Sequence, residues 1–136
     1  MRMFLAMTLL LLTLAGPAVA GSVSQPFAVS ADHAWTTTEK VLKVLGWDID
    51  TADRTIGWIT TDSKKFGGED YGVYAKGTRH RLSISIKTVG DKQTTIVVER
   101  TLFKRERILW INNDEPVATT DQTVEKDVLA KIATSL

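Results

Sequence analysis

A chain of 136 residues, 43% of them hydrophobic, suffices for one domain with one core, and its lack of cysteine excludes disulfides, thiolate metal sites and lipid attachment through a thioether. Its 17 basic and 16 acidic side chains almost cancel, but unevenly: residues 64–107 hold 11 basic and 5 acidic groups, while the stretches on either side are acidic. A neutral protein with a basic middle can meet an anionic surface through that patch, although a solvated sheet face gives the same composition.

The chain opens with Arg2, an apolar run from Phe4 to Leu14, and Ala18-Val19-Ala20. This is the layout of a secretory signal peptide with cleavage after Ala20. The run of about 11 residues is shorter than the roughly 20 a membrane span requires; an uncleaved anchor is the alternative. The expected mature protein, residues 21–136, is one periplasmic domain, neither lipidated nor membrane-spanning.

Pro26 to Val29 reads as a short strand. Ser30 is placed to cap a helix over 31–45, with Asp32 in its first turn, Trp35, Thr38, Val41, Leu42 and Leu45 on one stripe, and Gly46 ending it. Trp47 to Asp50 and Ile56 to Thr61 form a hairpin around the turn 51–54. Two registers are open. If Ile49 faces Ile56, Trp47 faces Trp58 and all four share a face. If Ile49 faces Gly57, Trp47 faces Ile59, and Trp58 and Ile56 lie on the opposite side.

Residues 62–70 are polar and glycine-containing, which predicts a loop; Trp58 is bare unless the segment Lys64 to Tyr74 folds over it. A strand resumes over Tyr71 to Ala75. The clear strands are Arg79 to Thr88 and Thr94 to Phe103, joined at Gly90-Asp91-Lys92, with Ile86 opposite Ile96 and Ile84 opposite Val98. Residues 102–113 fit either a further edge strand or a helical turn. Asn112 to Pro116 is a breaker cluster. Thr119-x-x-Gln122 matches a capping box before a helix at 120–134, with Val124, Val128, Leu129, Ile132 and Leu136 on its apolar stripe.

Each helix has one apolar stripe and each strand one apolar face. The expected fold is therefore α+β, a two-layer sandwich with an antiparallel sheet and both helices on one face. The expected core is Trp35, Leu42, Leu45, Trp47, Ile49, Ile59, Leu82, Ile84, Ile86, Ile96, Val98, Val128 and Ile132. The other face meets water and presents Arg81, Lys87 and, in the second register, Trp58.

Trp35, the Leu42-x-x-x-Gly46 helix ending, the Asp53-Arg54-x-x-Gly57-x-Ile59 turn and the Arg79-x-Arg81-Leu82 strand form a spaced set of landmarks. In these the chain resembles the helix-grip domains of the lipoprotein component C of the outer-membrane β-barrel assembly machinery (BamC-like), over most of residues 26–135. The resemblance implies a helix-grip fold, an envelope role linked to outer-membrane protein assembly, and Ile59 facing the core. Members of that family are typically lipid-anchored; this chain has no cysteine to carry the lipid.

No catalytic motif is present. His33 and His80 lie outside any metal-binding spacing such as His-Glu-x-x-His, and His80 shares parity with Leu82. Asp48, Asp50 and Asp53 lack the calcium-loop pattern, and the segment 66–72 lacks the Gly-Lys-Ser/Thr ending of a phosphate loop. No cofactor is expected. The interaction candidates are Ile56 and Trp58 as an apolar contact and Lys76, Arg79, Arg81, Lys104, Arg105 and Arg107 as a basic stripe. Export argues against nucleic acid, leaving an envelope protein or an anionic lipid surface as partner. The readings are a non-enzymatic adaptor domain using its open sheet face, a small carrier of lipid or another hydrophobic ligand in an internal cavity, and an enzyme; a filled core favours the first.

Overall fold

The computed structural model describes residues 21–136; the expected signal peptide and its cleavage point lie outside them. The elements are β1 (Val23–Phe27), α1 (Ala31–Val44), β2 (Ile49–Asp53), β3 (Trp58–Thr61), β4 (Lys64–Asp70), β5 (Tyr74–Gly90), β6 (Gln93–Ile108), β7 (Ile111–Val117) and α2 (Thr123–Ser135). The strands form one antiparallel sheet in the order β1-β6-β5-β3-β2, with β4 also beside β5 and β7 also beside β6. Both helices rest on the same face, against β1, β5 and β6 and against each other, which is the two-layer α+β sandwich.

Each end of α1 has a local cause. The Ser30 hydroxyl accepts from His33 N at 3.2 Å. Gly46, at φ +81, takes the left-handed position. Gly46 N then donates to Lys43 O, and Trp47 N to Leu42 O at 2.8 Å, a Schellman ending. That bond turns Trp47 into the core. Leu45, expected to be buried, is 37% exposed: it stands at the cap, past the last turn that rests on the sheet.

The hairpin adopts neither expected register. Asp53 pairs with Trp58, Ala52 with Ile59 and Ile49 with Thr61, across a bulge between Ile49 and Thr51. The turn falls three residues later than expected, at 54–57, because the Asp53 carboxylate accepts from Thr55 N at 3.0 Å and Gly57 adopts φ +71. A Cβ on Gly57 would stand 2.2 Å from Ile86 O, so the position admits only glycine. The facing is that of the second register all the same: Ile59 is fully buried, and Trp58, beside Ser85, lies on the open face. Ile49 is half-buried at the margin of the core rather than within it.

Three further expectations are corrected. Residues 64–70 are a strand, not a loop; Gly68 and Gly77 face each other at backbone contact, so side chains there would push β4 off β5. Residues 102–108 continue β6, and Asn112 to Pro116 lie within β7, where Pro116 is tolerated because β7 is an edge strand. α2 starts at Thr123, three residues late. The Thr119 hydroxyl takes Asp121 N, the Asp121 carboxylate takes Thr123 N and Oγ1, and Gln122 makes no side-chain cap.

The core is one cluster of Phe27, Ala34, Trp35, Val41, Leu42, Trp47, Ile59, Leu82, Ile84, Ile86, Ile96, Val98, Val128, Leu129 and Ile132. Ile86 pairs with Ile96 and Ile84 with Val98, as the spacing requires. β5 and β6 outrun this core. Their far halves, with β4 and β7 alongside, form a four-stranded arm, and past Leu102 the helix-side face of β6 carries Lys104, Glu106 and Ile108, all exposed.

Candidate functional site

Strand alternation divides the candidate residues between two faces of the arm. Register pairs Arg79 with Phe103, Gly77 with Arg105, Ala75 with Arg107 and Arg81 with Thr101, and all of these point to the open face. Lys76 pairs with Glu106 and Lys104 with Glu115, on the opposite face and each opposite an acid. The expected single stripe is therefore corrected to four arginines on one face, with Lys65 joining them opposite Arg79.

Phe103 organises this face. It points away from the core yet is buried, because Arg81 and Arg105 lie over its ring at 5.2 and 5.4 Å. Arg105 grips Asp114 with two bonds, Nε to Oδ1 at 2.7 Å and Nη2 to Oδ2 at 3.0 Å. This holds the Asp114 carboxyl below its ordinary range, with Arg81 and Arg79 adding to the effect. Arg79 donates to Ser63 Oγ at 2.8 Å and Ser63 O at 2.7 Å; partial burial and the nearby Arg105 lower its pKa. Arg107 reaches Gly72 O at 2.7 Å, at the end of the arm. Between these side chains runs an open cleft of about 200 Å³, with Gly67, Gly68, Gly77 and Ala75 among its lining and Lys65, Arg79, Arg105 and Arg107 around it. Small residues leave room for a ligand, and fixed guanidiniums aimed at one surface suit phosphate or carboxylate oxygens.

The apolar pair splits. Ile56 lies in the hairpin turn, in a surface depression with Asp32 and Trp35 of α1, while Trp58, 39% exposed, is on the open face. Six residue steps along β5 separate Ser85, beside Trp58, from Arg79, about 20 Å at strand rise. Residues 64–70 run along the arm and leave Trp58 uncovered.

A charged cluster that no motif in the sequence announces lies at the neck of the arm. Arg100 is 1% exposed and Glu125 is 0% exposed. Arg100 Nε donates to Glu125 Oε1 at 2.9 Å, Nη2 to Asp121 O at 3.2 Å and Nη1 to His80 Nδ1 at 3.2 Å. His80 is flanked by Trp47 at 4.8 Å and Phe66 at 5.1 Å between ring centroids. The parity of Arg100 with Ile96 and Val98 was the available signal. Through its bonds to Glu125 and to Asp121 O, Arg100 ties α2 and the segment before it to the sheet.

Burial, then the charges of Arg100 and Lys64, lower the His80 pKa from 6.5 to about 4. Between those values the unfolded chain takes up a proton that the folded chain refuses. The stability is complete above pH 6.5 and is lost as pH falls toward 4, by about 3 kcal/mol in all. Denaturant titrations across that range check this: His80→Gln should flatten the slope, and an unchanged slope contradicts the assignment.

No family model matches the sequence, and no curated protein matches it. Among solved structures, a conserved protein from Geobacillus kaustophilus aligns over 84% of this chain and 90% of its own, at 10% identity and a TM-score of 0.37.

Proposed function

We propose that the chain is a non-enzymatic docking domain of the bacterial cell envelope, acting in the periplasm and engaging an anionic partner through the open face of its arm. The observation that carries this reading is the set of Arg79, Arg81, Arg105 and Arg107 on one uncovered face, with Phe103 holding two of the guanidiniums in place. Preset arginines on an uncovered face attract phosphate and carboxylate groups and steer association. The leader-like start and the landmark resemblance support an envelope setting near outer-membrane protein assembly. The chain has no cysteine, and among the described residues no helix is long and apolar enough to cross a membrane.

The carrier reading requires space between sheet and helices. Trp35, Leu42, Ile84, Val98, Leu129 and Ile132 fill that space at 0–4% exposure, which favours docking over enclosure.

Sedimentation with vesicles of phosphatidylethanolamine and phosphatidylglycerol tests the proposal. Binding should fall steeply with added salt, and Arg81→Glu with Arg105→Gln should weaken it about tenfold or more. Equal binding by the double variant would contradict it.

A further inference from the structure

The end of the arm is apolar. The β6–β7 hairpin turns at Leu109-Trp110, between the paired Ile108 and Ile111. Beside it the β4–β5 connection presents Tyr71 and Val73, and Leu109 N donates to Val73 O at 2.6 Å, joining the two tips. Tyr71, Val73, Ile108, Leu109, Trp110 and Ile111 are all exposed, Trp110 by 81%.

Turn chemistry does not account for these residues. Leu109 sits at φ 58, the left-handed region, where Gly, Asn or Asp costs least. A leucine followed by a tryptophan at a solvent-facing turn works against both the backbone and solubility. Such conflicts between local rule and sequence concentrate at functional sites.

We propose that the paired tips are a membrane anchor, with Val73, Leu109, Trp110 and Ile111 entering the boundary between headgroups and acyl chains of an anionic bilayer; this rests on the docking function above and names its partner. Three features fit. The tip backbone is bonded within the arm, by Leu109 N to Val73 O, Tyr71 N to Tyr74 O and the pairing of Tyr74 with Ile108, so insertion strips little unsatisfied polar surface. Arg107 and Arg105 lie two and four residues behind Leu109, about 7 and 13 Å along the strand. Interfacial segments sink about 5–10 Å, so this spacing sets the guanidiniums near the phosphates. Asp114 offsets one of these charges, while Arg79 and Arg81 extend the basic face behind them. Finally, the tip projects at the end of two hairpins. A fluid interface accepts a projecting wedge without a matching pocket, and Trp and Tyr are suited to the headgroup level.

The test uses vesicles of equal parts phosphatidylethanolamine and phosphatidylglycerol with brominated acyl chains, which quench tryptophan by contact. Trp35 and Trp47 are buried and serve as internal references. The expected result is that wild-type fluorescence is quenched, Trp110→Phe removes the quenching while still sedimenting with vesicles, and Trp58→Phe leaves the quenching in place. Leu109→Asp with Trp110→Asp should weaken binding about tenfold or more. Sedimentation without quenching overturns the anchor and leaves the docking reading intact. No sedimentation with the vesicles overturns both. A concentration-dependent dimer without vesicles that Trp110→Asp abolishes also overturns the anchor, and assigns the tip to a second copy of this chain.

Discussion

Replacing Arg100 with alanine should lower unfolding stability by about 3–5 kcal/mol, measured by chemical denaturation. The guanidinium is the partner that permits Glu125 to be fully buried, through the bond between Nε and Oε1 at 2.9 Å. Removing it leaves a carboxylate in the interior beside the β5–β6 ladder, with His80 and Asp121 O losing their donor as well. Glu125→Ala should cost a comparable amount for the mirrored reason. Arg100→Leu combined with Glu125→Leu should recover most of the loss, because apolar groups need no partner and the desolvation of both charges is avoided. Single substitutions costing under about 1 kcal/mol would mean the pair is solvated, and the neck of the arm is not sealed as described.

Truncation in the centre of the sheet should be similarly severe. Ile84→Ala should cost about 2–5 kcal/mol, and so should Leu42→Ala, since both side chains are fully buried and their neighbours are fixed by the sheet and helix backbones. Ile84 lies between Ile59 on β3 and Val98 on β6, so its loss opens a void where three strands meet. Leu45→Ala is the internal control. The structure leaves that side chain partly in water at the α1 cap, so it should cost under about 1 kcal/mol. A Leu45 effect matching Leu42 would restore the unbroken stripe that helical spacing alone suggests.

The parts of the fold that were legible are those in which local pattern and tertiary packing agree. The α1 stripe, the Gly46 ending and the Ile84–Val98 and Ile86–Ile96 pairs follow from spacing because each buries one face against one layer. The arm was not legible for the converse reason. Its strands bury no face on a helix, so β4 lacks apolar alternation and β7 carries Asn112, Asn113, Asp114 and Pro116. These strands exist through edge pairing to β5 and β6, which a single sequence does not display. The open basic face was read in outline, but Lys76 and Lys104 were grouped with the arginines because the true lengths of β5 and β6 set which side each residue takes. Arg100 and Glu125 were missed as a pair because 25 positions separate them and charge alone implied exposure. The hairpin tip was missed because residues 102–113 had no settled element on which to place Trp110.

Docking through the open face and end of the arm should be visible in amide hydrogen exchange with and without anionic vesicles. Protection should increase in the far half of β5, from Tyr74 to Arg81, in β6 from Thr101 to Ile108, and at the paired tips, 71–73 and 109–111, with α1 and α2 unchanged. Protection that falls instead on the helical layer, or a bound protein with no change along the arm, would contradict it.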